Sequence, residues 1–318
     1  MKNIVILGAS PAGIKAAEEI RKLSEDARIT VVTFDSHYPY DRGRFADFLA
    51  KEISLQEILY QSKDFYQKNK IDVLLNQNIS RVNLKRNKIF VDNENEKGQI
   101  DFDLLIVTDV PEHRFPDIKG TQKEGVFGVH KLRDIQQIFN NIALTEETIV
   151  QCNSSYGLKL AVSLARRNKE VTVILPDSEF LVRLQESPLM EWIPAVFEEL
   201  GVRVMEGKKI AEVLGDAQVK AIRLDSGKVL ASDMVIFEDT RPDLRVFADS
   251  PLLIQQKICV DQNFKTNLEH VYAVDLVCER LDNLFEMSSH QDLVLSQILD
   301  AQGMVVASEI SSLINCPV

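Results

Sequence analysis

Apolar positions along the chain fall into two alternating periods. Residues 4–7 form a short continuous apolar run, the pattern of a strand buried on both faces. Gly8 breaks it, and beyond Gly13 the residues Ile14, Ala17 and Ile20 share one side of a helix. A second run at 29–32 completes a strand–turn–helix–strand unit of about 30 residues, the size of a βαβ crossover. Leu55, Ile58, Leu59 and Phe65 make an apolar stripe that predicts a helix over 54–69. Residues 71–108 then alternate as short strands, IDVLL, ISRVNL, KIFVD and FDLLIV, with a hairpin turn expected at 93–98. PEHRFPDIKG at 111–120 reads as a linker. Beyond it the pattern repeats: a strand at 148–150, a turn at 154–157, a helix at 158–165 and the strand VTVIL. The helix PLMEWIPAVFEELG and the strands GVRVMEG, IAEVLG, VKAIRL and MVIF follow, then a second linker at 239–244. ICVD and HVYAVD read as strands, and 288–313 as a closing helix.

The first turn reads G-A-S-P-A-G at 8–13, directly between strand and helix. In that position the first glycine permits the tight turn and the last lets helix and strand approach. The helix N-terminus meanwhile presents free amides and positive dipole to a pyrophosphate. Ser10 stands where a second glycine is usual. A dinucleotide also needs an acceptor for its adenosine ribose near the end of the second strand. Asp35 is the candidate there, against its simpler reading as a turn former.

Size and charge narrow this picture. A chain of 318 residues points to two domains. Its net charge of −11, spread along the length, disfavours nucleic acid and anionic membranes as partners. No apolar run approaches a membrane span, and a first strand so close to Met1 leaves no room for a signal peptide, so a cytoplasmic protein is expected. Cys152, Cys259, Cys278 and Cys316 form no close pair, which indicates neither a redox dithiol nor a metal site. The five histidines do not cluster.

Several longer blocks carry a family resemblance: YPYDRGRFADFLA at 38–50, FYQKNKIDVLL at 65–75, FDLLIVTD at 102–109 and FLVRL at 180–184. LGVRVMEG at 200–207, LDSGKVLASDMVIFEDTRP at 224–242, FKTNLEHVYAVD at 264–275 and AQGMVVA at 301–307 extend it. With the 8–13 loop, the chain resembles the flavoprotein reductases of the pyridine nucleotide–disulfide oxidoreductase superfamily. The nearest branch is that of NADH:rubredoxin reductase and the related nitrite reductase and ferredoxin reductase flavoproteins. The resemblance implies an α/β fold of two Rossmann-like domains with three-layer ββα/α architecture, the second inserted in the first. Residues 1–111 and 243–318 would form the FAD-binding-type domain and 112–242 the NAD(P)H-binding-type domain. It implies FAD and NADH as cofactors and a small electron-transfer protein or partner subunit as partner, with no catalytic side chain assigned.

By the same resemblance FAD meets Gly8, Ser10, Pro11, Ala12 and Gly13, with Asp35 toward the ribose. Arg42 lies toward the flavin, and Thr108, Asp275, Gln302 and Gly303 complete the set. Asp47 matches an acidic position of the rubredoxin-reductase branch. Departures are marked. The family's A-T-G reads Val107-Thr108-Asp109. Its G-D reads Asp275-Leu276, or else a glycine is deleted and Asp275 is itself the aspartate. The proline after the arginine has become Gly43. In the second half the loop C-N-S-S-Y-G at 152–157 keeps Gly157 alone of three glycines, Lys159 replaces a glutamate near the nicotinamide, and Asp239 replaces the closing glycine. Asp177 and Glu179, just past Leu175, favour NADH over NADPH. No cysteine occupies a redox-active position of the family. The chain also stops soon after AQGMVVASEI, without the C-terminal dimerisation domain of most relatives. Two functions are therefore carried forward. One is an FAD-dependent oxidoreductase passing electrons from NADH or a partner protein to a small redox acceptor. The other is a cofactor-poor relative serving as a scaffold or regulatory binding subunit.

Overall fold

A computed structural model of the chain describes residues 1–93, 96–108, 115–176, 182, 189–238, 242–280 and 295–315. It opens with β1 (Asn3–Leu7), α1 (Pro11–Leu23) and β2 (Arg28–Val32). α1 starts where Ser10 Oγ accepts the Gly13 N–H and Pro11 takes the first helical position. Its far end is closed by Arg21, whose guanidinium donates to the carbonyls of Ser24, Glu25, Ala27, Asn69 and Lys70 at 2.6–3.0 Å. A 3-10 turn (Arg42–Arg44) follows, then α2 (Phe45–Leu49), α3 (Leu55–Ile58) and α4 (Lys63–Lys68). The single helix expected over 54–69 is thus two. Ser62 accepts the Phe65 N–H to start a new helix, and Leu59 pairs with Tyr40 in between.

β3 (Ile71–Leu74), β4 (Ile79–Asn83), β5 (Lys88–Asn93), β6 (Glu96–Asp101) and β7 (Leu104–Val107) end the first segment. The turn expected over 93–98 is shorter than that span, because Asn93 already pairs with Glu96 and β6 begins there. The second unit runs through β8 (Val126–Gly128), α5 (Leu132–Asn141), β9 (Glu147–Gln151), α6 (Ser155–Ala165) and β10 (Glu170–Leu175). α7 (Leu189–Glu199), β11 (Arg203–Glu206), β12 (Ile210–Leu214), β13 (Ala221–Leu224), β14 (Val229–Ala231) and β15 (Met234–Phe237) complete it. The chain then returns through β16 (Ile258–Val260), β17 (Val271–Ala273), β18 (Cys278–Arg280) and α8 (Leu295–Asn315).

Two five-stranded parallel sheets result, ordered β17-β7-β1-β2-β3 and β11-β10-β9-β15-β8. Each unit adds a three-stranded antiparallel sheet, β4-β5-β6 or β12-β13-β14. β17, from the far part of the chain, pairs with β7 and so completes the first sheet around the inserted second one. The chain leaves the first unit after β7 and returns to it after β15, with 109–114 and 239–241 outside the described residues, so the boundaries at 111/112 and 242/243 stand as sequence readings. Among the described residues no helix is long and apolar enough to cross a membrane.

The excursion between β2 and β3 belongs to both units. Phe45, Phe48, Leu49 and Ile58 are buried in the second unit's core with Leu132, Ile135, Leu158 and Ala161. Phe48 stacks on Phe139 at 4.8 Å between ring centroids. Arg167, at the end of α6, donates to Leu49 O at 2.9 Å, and Arg166 pairs with Glu52 at 2.9 Å. Burial of one large apolar side chain contributes about 1.5–3 kcal/mol, so Phe45 and Leu49, both fully buried, make this strap a firm seam.

Candidate functional site

The first loop is built by close approach. Gly8 leaves β1 at φ +102°, and its N–H donates to Val32 O. A Cβ on Gly13 would stand 2.6 Å from Thr108 Cγ2 and 3.0 Å from Ile6 Cγ2, so only glycine lets α1 lie this near β7. A Cβ on Gly303 would stand 2.5 Å from Ala12 O, so α8 presses on the first turn of α1 in the same way. Thr108 is buried and donates its hydroxyl to Leu7 O at 3.2 Å. Gln302 Oε1 accepts the Asp275 N–H at 2.7 Å, tying α8 to the end of β17. The carboxyl ends of β1, β7 and β17 thus gather Gly8, Ser10, Pro11, Ala12, Gly13, Thr108 and Asp275, with Gln302 and Gly303 beside them. This is the edge of a parallel sheet where ligands bind. The α1 amide of Gly13 is capped by Ser10 at a long 3.4 Å, a bond that yields readily to an anion. The loop geometry fits a pyrophosphate. Asp275 takes φ +70°, a backbone that favours glycine, and its Oδ1 accepts the Leu276 N–H at 2.7 Å.

Asp35 follows the end of β2, the strand beside β1, at the start of the strap. Its Oδ1 accepts the His37 N–H at 3.0 Å and stands 2.9 Å from His37 Nδ1, while Oδ2 accepts the Tyr40 hydroxyl at 2.5 Å. Burial by itself would raise its carboxyl pKa, but the bonds from Tyr40 and then His37 outweigh it and hold the group below the ordinary value. Asp35 therefore organises the 35–40 turn, with about one of its four acceptor positions left for another donor. Tyr40 also accepts the Leu132 N–H at 3.1 Å, which carries the same network into the second unit. Arg42 follows in the 3-10 turn. Its charge opposes the upward push that burial gives the hydroxyls of both Tyr40 and Tyr156. Tyr156 stands on the first turn of α6, its hydroxyl sealed from solvent and without a hydrogen-bond partner among the described residues. The hydroxyl is thus a buried polar group whose partner the described residues do not supply. Asp47 has its pKa raised by burial and then Glu52, with Arg44 and Lys159 opposing.

The second loop is built differently. Glu238, one residue past β15, is 1% exposed. Its Oε2 accepts the N–H of Asn153 at 2.8 Å and of Ser154 at 3.0 Å, and its Oε1 accepts the Ser154 hydroxyl at 3.0 Å. Asn153 Nδ2 returns to Glu238 O at 3.0 Å. A Cβ on Gly157 would meet Cys152 at 2.8 Å and Glu238 Oε2 at 3.0 Å, so this glycine makes room for the carboxylate. As arranged, the loop does not fit a pyrophosphate, because a protein anion already holds its donors. Cys152 lies beneath it with a thiol pushed well up by burial and by Glu238, and burial raises Cys278 to about 12. Both are poor thiolates. Among the described residues no cluster of three or more metal-ligating side chains occurs.

Sequence reading brought the first loop together and missed Glu238 and Tyr156. The available signal for Glu238 was a carboxylate directly after the buried run MVIF, on the strand next to a loop that had lost its glycines. Asp109, Asp177, Glu179, Asp239 and His290 lie outside the described residues.

The model of the family described as pyridine nucleotide-disulphide oxidoreductase matches residues 2–287. The NADH oxidase of Methanocaldococcus jannaschii is 27% identical over 285 residues, covering 87% of this chain and 63% of that protein. The assimilatory nitrate reductase electron transfer subunit of Bacillus subtilis is 23% identical, covering 97% of this chain and 39% of its own length. This chain therefore spans less than two thirds of either relative. Among solved structures, the ferredoxin reductase for the CYP199A2 system of Rhodopseudomonas palustris superposes with a TM-score of 0.85. That pair is 18% identical, over 98% of this chain and 76% of that one.

Proposed function

Since the chain belongs to the pyridine nucleotide-disulphide oxidoreductase family, we propose that it is an FAD-dependent oxidoreductase unit that passes electrons from NADH or a partner protein to a small redox acceptor. The single observation that carries this is the first loop. Gly8, Gly13 and Gly303 are each required by backbone or packing, and they surround a helix N-terminus closed by one long bond. FAD, when bound, supplies the one- and two-electron chemistry. The chain's own contribution is the seat: the first turn of α1 for the pyrophosphate, Thr108, Asp275 and Gln302 along the sheet edge, and Arg42 at the seam. Asp35 offers its remaining acceptor position toward the ribose. A relative named as an electron transfer subunit and a structural neighbour named as a ferredoxin reductase support a protein acceptor.

A cofactor-poor scaffold is the second reading, favoured by the carboxylate of Glu238 in the second loop. One experiment decides between them: the visible absorption spectrum of the purified protein, with and without added FAD. A stoichiometric flavin band is expected. A protein that stays colourless after equilibration with saturating FAD and desalting refutes the oxidoreductase.

A further inference from the structure

We propose that Glu238 is a built-in occupant of the second unit's anion-binding loop, and that a dinucleotide pyrophosphate gains that loop only by displacing it. Three donors converge on the Glu238 side chain, two of them the consecutive backbone N–H groups of Asn153 and Ser154 at the entry to α6. Backbone amides at a helix entry are the groups that bind phosphate in such folds. Here they are held at 2.8 and 3.0 Å by a carboxylate that is 1% exposed. In each of these three contacts a group of the loop lies within hydrogen-bond distance of a carboxylate oxygen. The loop's donors are therefore engaged before any ligand arrives.

The surroundings are shaped for this occupant. Ser154 serves twice: its hydroxyl donates to Glu238 and accepts the Tyr156 N–H at 3.2 Å, so the helix cap and the carboxylate share one group. Asn153 holds the backbone of Glu238 through its amide, fixing where the side chain begins. Gly157 leaves the space that Oε2 fills. The first loop shows the contrast. There a neutral hydroxyl reaches the helix amide at 3.4 Å, and no carboxylate is recorded on α1's entry among the described residues. Both units set a strand, loop and helix at the centre of a five-stranded parallel sheet and differ in what sits at the helix entry.

The test is a binding titration of the full chain, without turnover. ADP-ribose, which carries the pyrophosphate without nicotinamide, is titrated by calorimetry into the wild type and into Glu238→Gln and Glu238→Ala. Hydrogen exchange then locates the protected amides. The expected result is an affinity gain of at least tenfold in Glu238→Ala and a smaller gain in Glu238→Gln, with protection at 152–158 in the variants. Protection at 8–13 instead reports the first unit, so failure of the FAD reading and failure of this one are read separately. Equal or weaker binding in both variants at 152–158 overturns the proposal, as does tight binding there by the wild type. Should Glu238→Ala not fold, the Gln variant decides: a gain supports the proposal and no gain overturns it.

Discussion

Replacing Gly13 with Ala tests how α1 is held against the sheet. The added methyl lands 2.6 Å from Thr108 Cγ2 and 3.0 Å from Ile6 Cγ2, both inside ordinary contact distance. Thr108 is fully buried with its hydroxyl committed to Leu7 O, so it yields poorly. Overpacking of this kind costs about 1–3 kcal/mol, and the helix-propensity gain of Ala over Gly, up to about 1 kcal/mol, offsets part of it. The net loss for G13A is about 1–2 kcal/mol. Thr108→Ser removes the opposing methyl, keeps the bond to Leu7, and on its own costs about 1 kcal/mol of buried apolar contact. In the double variant the new methyl fills the space of the old one. The two changes should therefore offset each other by about 1–2 kcal/mol instead of adding. Urea unfolding followed by circular dichroism measures all four proteins. Strictly additive losses would refute the packing explanation of Gly13.

Arg21→Met removes a guanidinium bonded to five carbonyls, three of the bonds partly buried, and should lower stability by about 3 kcal/mol in the same unfolding assay. Tyr40→Phe takes a donor from Asp35 and an acceptor from the Leu132 N–H, costing about 1–3 kcal/mol and loosening the seam, seen as faster amide exchange at 132–134. Asp35 has a folded pKa below its ordinary 3.8. Its stabilisation is therefore complete above about pH 4–5 and is lost as pH falls through the folded pKa. Asp35→Asn should be less stable than wild type near neutrality and lose less between about pH 5 and pH 3; parallel acid profiles contradict this.

The parts legible in sequence are those set by local pattern. Residues 4–7 and 234–237 are apolar because both faces of their strands are covered, and Gly13 reads as a close-packing glycine because α1 lies on Thr108. The split of 54–69 at Ser62 was less legible, since Ile58 and Phe65 keep helical spacing across a break made by capping and by the Tyr40–Leu59 bridge. Asp275 left two readings in sequence, and its left-handed backbone favours the one in which it takes the glycine's place. Glu238 carried only a faint signal, a carboxylate after MVIF, because its partners Asn153 and Ser154 lie more than eighty positions away and meet it only across adjacent strands.

The strap that carries Phe45, Phe48 and Leu49 into the second core has a consequence for anyone who would treat this chain as two modules. The inserted unit borrows part of its interior from a segment that precedes it, so a fragment cut at the two crossings would open an apolar trench along α5 and α6. Evolutionary exchange of the insert for another would meet the same barrier, since a foreign unit would have to arrive already shaped to the strap.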